Sequence, residues 1–281
     1  MNIKAIIKNA IPDYFFLKYL FKKNTGKTLN LKSPRTFNEK LQWLKLYDRN
    51  PLYTILVDKC AVKQYVLDKI GGQYIIPTIG VWKAFEDIDF DKLPSQFVLK
   101  CTHDSGGIVI CKDKSLLNID DARNKIAESL KQNFYYAFRE WPYKNVPPRI
   151  IAEKYMEDES GELRDYKVMC FDGIPKLIEY HQGRFNSHTQ DFYDENWNLL
   201  PMSQGTPLSG TKIGKPLFFE QMMKLSAILS GGIPHVRVDW YCVHNQLYFG
   251  EMTFYDASGF EEFEPEEYNR ILGDWIKLPN L

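Results

Sequence analysis

Arg237-Val-Asp-Trp-Tyr-Cys-Val-His-Asn-Gln-Leu-Tyr-Phe-Gly-Glu-Met-Thr-Phe254 decides how this chain is read. Two apolar, aromatic and β-branched runs flank His244-Asn245-Gln246. Such runs suit strands, and Asn tolerates the left-handed backbone a tight turn needs. A hairpin centred on Asn245 sets Asp239 opposite Glu251 and Arg237 opposite Thr253. Residues two apart on a strand share a face, so these side chains form one polar quartet on an otherwise apolar hairpin. Two neighbouring carboxylates repel unless something neutralises them. A magnesium ion does this, with phosphate oxygens and water completing its shell. Arg237 bridging both acids on a solvated face would do so as well.

Three further segments carry charge in suggestive places. Phe97-Val-Leu-Lys100 followed by Ser105-Gly106-Gly107 puts a lysine at the end of an apolar strand, before a glycine-rich turn. Glycines let backbone N–H groups approach phosphate oxygens, and lysine adds a point charge. No G-K-[ST] opens a helix here, so this is not a Walker loop; an ordinary hairpin turn reads equally well. With Gly106 central, Cys101 would lie opposite Cys111. Ile150-Ile-Ala-Glu153-Lys154-Tyr155-Met156 is an apolar strand interrupted by two charges, as is also seen where a strand runs out to the surface. Asp58-Lys59 sits on a helix, where a solvated face would explain it.

Around these segments the chain reads as α+β, with strands and helices mixed and no strict alternation. Residues 1–78 are mostly helical: Thr36-Phe-Asn-Glu39 has the form of a capping box opening a helix to about Tyr47, and a second helix is expected from about Ile55 to Ile70, ending at Gly71-Gly72. Residues 79–152 hold strands around one helix, Ile119 to Arg139, and residues 153–281 hold strands at Asp165–Phe171, Lys176–Tyr180, Val236–Val243 and Leu247–Phe254 with a helix at Phe218–Leu229. These three stretches are the expected domains.

Composition excludes several classes. Over 281 residues, 36 basic and 36 acidic side chains leave no net charge, so nucleic acid is not an expected partner. Cys60, Cys101, Cys111, Cys170 and Cys242 form no C-x-x-C pair; reduced thiols in the cytosol are expected, and no zinc site. The N-terminus lacks the charge, apolar core and cleavage site of a signal peptide, and no apolar run is long enough to span a bilayer. A cytoplasmic location follows as the expectation. The aromatic stretch Tyr14–Phe21, flanked by Lys8, Lys22 and Lys23, suits a docked helix or, through residues 1–24, contact with the inner face of the membrane.

The order of these segments resembles the ATP-grasp superfamily, and most closely its TupA-like family, named for teichuronopeptide synthesis. The resemblance runs from about Leu31 to Pro265. It rests on Ser33-Pro-Arg-Thr-Phe-Asn-Glu-Lys40, Val57-Asp-Lys59, Phe97-Val-Leu-Lys100 with Ser105-Gly-Gly107, Asp165-Tyr-Lys167, and the opening hairpin. It implies an ATP-grasp fold, two α+β lobes clamping ATP, behind a mostly helical N-terminal region. It implies that Lys59 and Lys100 hold ATP phosphates and that Ser105, Gly106 and Gly107 form the loop closing on the γ-phosphate. Glu153, Lys154 and Tyr155 would meet the adenine at the hinge. Asp239 and Glu251 would bind magnesium, and Arg237 would steady the transferred phosphoryl group. Where the superfamily often has Asn, this chain has Thr253, a shorter neutral oxygen ligand, which leaves the second metal position open.

The implied reaction phosphorylates a carboxylate with ATP and then replaces the phosphate by an amine. The resemblance implies an amino acid joined to a uronic-acid carboxyl of a capsule or cell-wall glycan. Among this chain's own residues, Lys167, His181, Arg184 and His188 are candidate substrate contacts: Arg184 for a carboxylate, a histidine for the amine's proton. The aromatic run Phe192-Tyr193 to Trp197 would stack on sugars or simply pack. Three other readings stand beside this one. Asp87-Ile-Asp89 and Asp89-Phe-Asp91 have the D-x-D form of nucleotide-sugar glycosyltransferases; a sugar kinase would use the same ATP site; a silent scaffold would use none.

Overall fold

The computed structural model describes residues 10–183 and 187–280. In chain order its helices and strands are α1 (Asp13–Thr25), α2 (Phe37–Tyr47), α3 (Leu52–Val57), α4 (Val62–Ile70), β1 (Thr78–Trp82), β2 (Phe97–Cys101), β3 (Ile108–Cys111), α5 (Ile119–Leu130), α6 (Tyr135–Phe138), β4 (Ile150–Lys154), β5 (Asp165–Phe171), β6 (Ile174–Gln182), β7 (Thr189–Asp194), β8 (Ser203–Gln204), α7 (Phe219–Ser230), β9 (His235–Val243), β10 (Gln246–Thr253), β11 (Phe263–Glu264) and α8 (Glu267–Trp275). The α+β class expected from the sequence is what the chain adopts. Its compact units are Pro51–Glu157 and, discontinuous in sequence, Met1–Asn50 with Asp158–Leu281. These bounds lie elsewhere than 78/79 and 152/153. The helical N-terminal stretch is shared, because α2 is tied to residues 258–276 while the α3–α4 segment is tied to Arg149 and Glu153.

In the unit Pro51–Glu157 an antiparallel sheet runs β1-β4-β2-β3. Burial alternates along β2: Phe97, Leu99 and Cys101 are fully buried and pack with Ile126 and Ala122 of α5, while Val98 and Lys100 face the other way. The expected helix over Ile55–Ile70 is two helices. Asp58 breaks it: its backbone is extended and its Oδ1 accepts from the N–H groups of Cys60 and Ala61 at 2.9 and 3.3 Å. A short carboxylate satisfying the backbone locally competes with continuing a helix. The hairpin β2–β3 is centred on Asp104, not Gly106, since Lys100 pairs with Ile108 and Phe97 with Cys111. Cys111 therefore lies opposite Phe97 and not opposite Cys101, whose N–H donates to Gly107 O at 2.7 Å. Asp104 sets this centre by accepting the Gly107 N–H on Oδ1 at 3.2 Å. The helix expected to reach Arg139 stops at Leu130, and a short turn of helix follows.

In the other unit a second antiparallel sheet runs β10-β9-β5-β6-β7. Its two faces differ in chemistry. Val168, Ile178, Tyr180, Val238 and Trp240 are buried, and Trp240 donates from Nε1 to Ser226 Oγ of α7 at 2.8 Å. Burying a side chain of this size contributes about 2–3 kcal/mol. The opposite face carries Lys167, Glu179, Arg237 and Asp239, all at most 9% exposed. The aromatic run of β7 belongs to the core: Phe192 and Tyr193 are fully buried, and the Tyr193 ring stacks on Trp197 at 4.2 Å. Packing, not sugar stacking, accounts for it.

The capping box on α2 forms as expected, Thr36 Oγ1 accepting the Glu39 N–H. That helix buries polar residues at helical spacing. Asn38 donates to Glu261 O at 2.7 Å, Gln42 to Gly259 O at 3.0 Å and Lys45 to Ser258 O at 2.8 Å. Residues at i, i+4 and i+7 fall on one helix face, so α2 presents a row of donors. These bonds grip a segment in which Ala257 and Ser258 hold positive φ, and which begins at Asp256.

Candidate active site

Two polar clusters stand out, one in each unit. The first crosses the sheet at right angles to its strands. Lys167 pairs with Glu179 of β6 on one side and with Asp239 of β9 on the other, so the three side chains form a row on one face. Lys167 Nζ donates to Asp239 Oδ2. Arg237, two residues along β9, grips the same carboxylate through Nε to Oδ1 at 2.8 Å and Nη2 to Oδ2 at 2.9 Å. Its Nη1 donates to Asp256 Oδ1 and lies 3.8 Å from Glu179 Oε2. Bidentate guanidinium–carboxylate pairs of this kind fix geometry as well as charge.

The turn of this hairpin differs from expectation, and a second irregularity offsets the difference. His244 and Asn245 both hold positive φ, giving a two-residue turn in which Gln246 already pairs with Val243. A bulge between Phe249 and Met252 then shifts the register by one residue. Thr253 consequently sits opposite Arg237, as the sequence implied, but Asp239 has no single partner on β10 and lies beside the bulge that carries Glu251. Glu251 Oε1 and Thr253 Oγ1 are 3.4 Å apart, and Thr253 Oγ1 is 3.4 Å from Arg237 Nη2. The expected quartet is thus together, Glu251 and Thr253 half-buried at its rim.

Electrostatics set the state of each group. Burial alone would raise Asp239, but Arg237 and Lys167 outweigh it and hold the carboxyl well below its usual range. Arg237 is kept charged although burial opposes it, because Asp239, Asp256 and Glu179 surround it. Glu179 and Asp256 are both raised, chiefly by burial and further by neighbouring carboxylates. Glu179 Oε1 is buried and has no hydrogen-bond partner among the described residues. The buried group therefore holds Asp239, Glu179 and Asp256 against Arg237 and Lys167, with Glu251 at its edge. Among the described residues no three His, Cys, Asp or Glu form a ready-made metal cage. The excess of carboxylate, with Asp239 and Glu251 as oxygen donors, still suits a divalent cation that completes its shell from phosphate and water.

From Glu179 a chain of contacts leads outward. His181 Nε2 lies 3.3 Å from Glu179 Oε2, and His181 Nδ1 lies 2.9 Å from Nε2 of the exposed His188. Arg184 lies outside the described residues, so its expected role has no structural counterpart. Glu179 and Asp256 did not figure in the sequence reading. A lone acid within Leu177-Ile-Glu-Tyr180 was the available signal for the first; Asp256 offered none.

The second cluster lies on the unit Pro51–Glu157. Glu153, 6% exposed, accepts from Lys100 Nζ at 2.7 Å and from Lys63 Nζ at 2.5 Å. Burial alone would raise this carboxyl, but the two lysines outweigh it and lower it. Lys63 was not foreseen; it also donates to Ile76 O and Thr78 Oγ1 at 2.8 and 2.7 Å. Lys59 donates to Asp104 O at 2.5 Å, and Arg149 Nη2 reaches Asp58 Oδ2 at 2.5 Å. Lys154 is exposed and its N–H is taken by Pro77 O, while Tyr155 donates its hydroxyl to Glu157 Oε2 at 2.8 Å.

The glycine-rich turn separates into a structural and an open half. A Cβ on Gly107 would lie 2.2 Å from Ser129 Oγ and 2.7 Å from Cys101 Sγ, whereas one on Gly106 meets nothing within 4 Å. Ser105 and Gly106 are exposed. Gly107→Ala is expected to destabilise the protein by about 1–3 kcal/mol, the usual cost of overpacking, and Gly106→Ala to leave stability within about 0.5 kcal/mol. Urea unfolding of the two variants checks this, and equal losses would refute the division.

The chain thus carries a buried Arg-Asp-Lys group on one sheet and a lysine-rich cluster on the other. The family model for TupA-like ATPgrasp matches residues 39–277. The chain belongs to this TupA-like ATP-grasp family. Among solved structures, D-alanine–D-alanine ligase from Bacillus anthracis complexed with ATP is 19% identical, with 71% of this chain and 54% of that chain covered and a TM-score of 0.41. The biotin carboxylase–beta-gamma-ATP complex from Campylobacter jejuni is 15% identical over 80% of this chain and 48% of that one, at a TM-score of 0.46. N5-carboxyaminoimidazole synthetase from Staphylococcus aureus complexed with ADP is 16% identical over 88% and 61%, at 0.45. The chain spans about half the length of the first of these. No curated protein matches it.

Proposed function

We propose that this protein is a carboxylate–amine ligase that uses ATP and magnesium, acts through an acyl phosphate, and joins an amino acid to a uronic-acid carboxyl of a capsule or cell-wall glycan in the cytoplasm. The observation that carries the reading is the buried Arg237–Asp239–Lys167 group with its excess of carboxylate and the Glu251–Thr253 rim. Asp239 and Glu251 would hold magnesium, with the Thr253 hydroxyl beside them, and the ion would supply charge neutralisation at the phosphates. Arg237 would steady a phosphoryl group, its plane held by Asp239 and Asp256. Lys59 and Lys100 are assigned to ATP phosphates, Ser105, Gly106 and Gly107 to the loop over them, and Glu153, Lys154 and Tyr155 to the adenine. The side chain of Glu153 already holds Lys100 and Lys63, so its further part is to orient those two lysines.

In this reading the substrate carboxylate oxygen takes the γ-phosphoryl group and ADP departs. The amine then attacks the acyl carbon, phosphate leaves, and one proton must be removed from the nitrogen. His188 is our candidate for that proton. If His181 directs Nε2–H at Glu179, its Nδ1 accepts from His188 Nε2–H, and the basic lone pair of His188 lies on Nδ1. His188→Ala is expected to lower amine-dependent ADP release about 100-fold and leave ATP binding unchanged. Loss of ATP binding in that variant would place the histidine elsewhere.

The test of the whole reading is ADP release across pairs of uronic acids and amino acids, with magnesium present. Release that needs both partners supports it; a phosphorylated sugar without amine dependence, or turnover of a nucleotide sugar, would replace it. Asp87, Asp89 and Asp91 of the D-x-D runs are exposed, and Asp87 and Asp89 cap short turns.

A further inference from the structure

Helix α1 has two faces of different use. Phe16, Leu17 and Phe21 are buried. The opposite face stays in water: Phe15 is 64% and Tyr19 61% exposed. Residues four apart on a helix stack along one line. Two lines run side by side here, Phe15-Tyr19-Lys23 and Tyr14-Lys18-Lys22. Each is aromatic toward the helix N-terminus and ends in lysine, and Lys18 Nζ lies 5.2 Å from the Tyr14 ring centroid. The single acid of the helix, Asp13, is off this face, half-buried and 3.8 Å from Arg49.

We propose that this face of α1 seats on an anionic phospholipid surface. Three features favour that occupant over a protein. Protein interfaces are depleted in lysine, and three lysines border this patch. Aromatic rings with polar tips and lysines with long apolar stems are the side chains that settle at the headgroup level. The chain has no net charge, so attraction to an anionic surface would come from this local cluster and not from the protein as a whole. Among the described residues no helix is long and apolar enough to cross a membrane, so α1 would lie in the interface plane. This assignment does not depend on the ligase reading; it requires neither ATP nor turnover.

Sedimentation of the full chain with vesicles tests it. Binding is expected to vesicles of phosphatidylglycerol with phosphatidylcholine, not to phosphatidylcholine alone, and to weaken as salt rises. The double variant Phe15→Ser, Tyr19→Ser should bind at least about tenfold more weakly, and so should Lys18→Glu, Lys22→Glu, Lys23→Glu combined. Unchanged melting temperatures show that these surface variants fold. The proposal is overturned if the unaltered chain ignores anionic vesicles, or if the aromatic double variant binds them as well as it does. It is equally overturned if ultracentrifugation finds a dimer that the same double variant dissolves while vesicle binding is absent throughout.

Discussion

Glu251→Gln is expected to abolish magnesium-dependent ATP binding and lower turnover by at least about 1,000-fold while leaving the fold intact. The amide keeps the shape of the side chain and removes its charge. Glu251 sits half-buried on the bulge of β10, and the buried pairs of Arg237 with Asp239 and Asp256 do not run through it. Asp239→Asn makes the useful contrast. There both oxygens are already engaged, by Arg237 and Lys167, and the residue is 1% exposed. Neutralising it leaves two buried cations facing an amide, which costs about 3–5 kcal/mol when one partner of a buried pair is lost. The two variants should therefore both lose ATP binding by calorimetry, but only Asp239→Asn should unfold markedly earlier in urea. If Glu251→Gln binds ATP with the magnesium dependence of the unaltered protein, the metal assignment fails.

What the sequence showed and what it hid divide along physical lines. The capping box at Thr36 and the presence of the β9–β10 hairpin were legible because they are local, written within a few residues, whereas the pairing of Arg237 with Thr253 holds because the bulge offsets the one-residue difference at the turn. The bulge was not, since one extra residue leaves the alternation on either side looking regular. The break at Asp58 was hidden for a related reason. Its flanks hold no Gly or Pro to mark a boundary, and only the side chain's bonds to Cys60 and Ala61, with Arg149 on its other oxygen, decide the matter. Lys63 and Glu179 were missed because their meaning is tertiary. Lys63 reads as a surface lysine until Glu153 is brought beside it, and Glu179 reads as strand noise until Lys167 and Arg237 appear on the same face. The β7 aromatics err in the opposite direction, looking like a binding surface and serving as core.

Arg237→Met should be the most pH-sensitive variant of this protein. Methionine approximates the apolar stem but supplies no charge, so Asp239, Asp256 and Glu179 are left with Lys167 as the nearest cation. Losing the arginine from such a buried network is expected to cost about 3–5 kcal/mol at pH 8. The cost should shrink on acidification, and the sign follows from linkage. Glu179 and Asp256 already titrate above their ordinary values, first because they are buried, and removing Arg237 takes away a group that lowers both. A carboxyl whose folded pKa exceeds its unfolded one binds protons preferentially in the folded state. Its contribution is present below the unfolded pKa, about 4, and is lost as pH rises through the folded value. The variant should thus recover part of its deficit between pH 8 and pH 5. Urea unfolding of both proteins at the two pH values measures this directly. A deficit that stays constant would mean that the three carboxylates are compensated by something other than Arg237, and the roles given to this cluster would have to be reassigned.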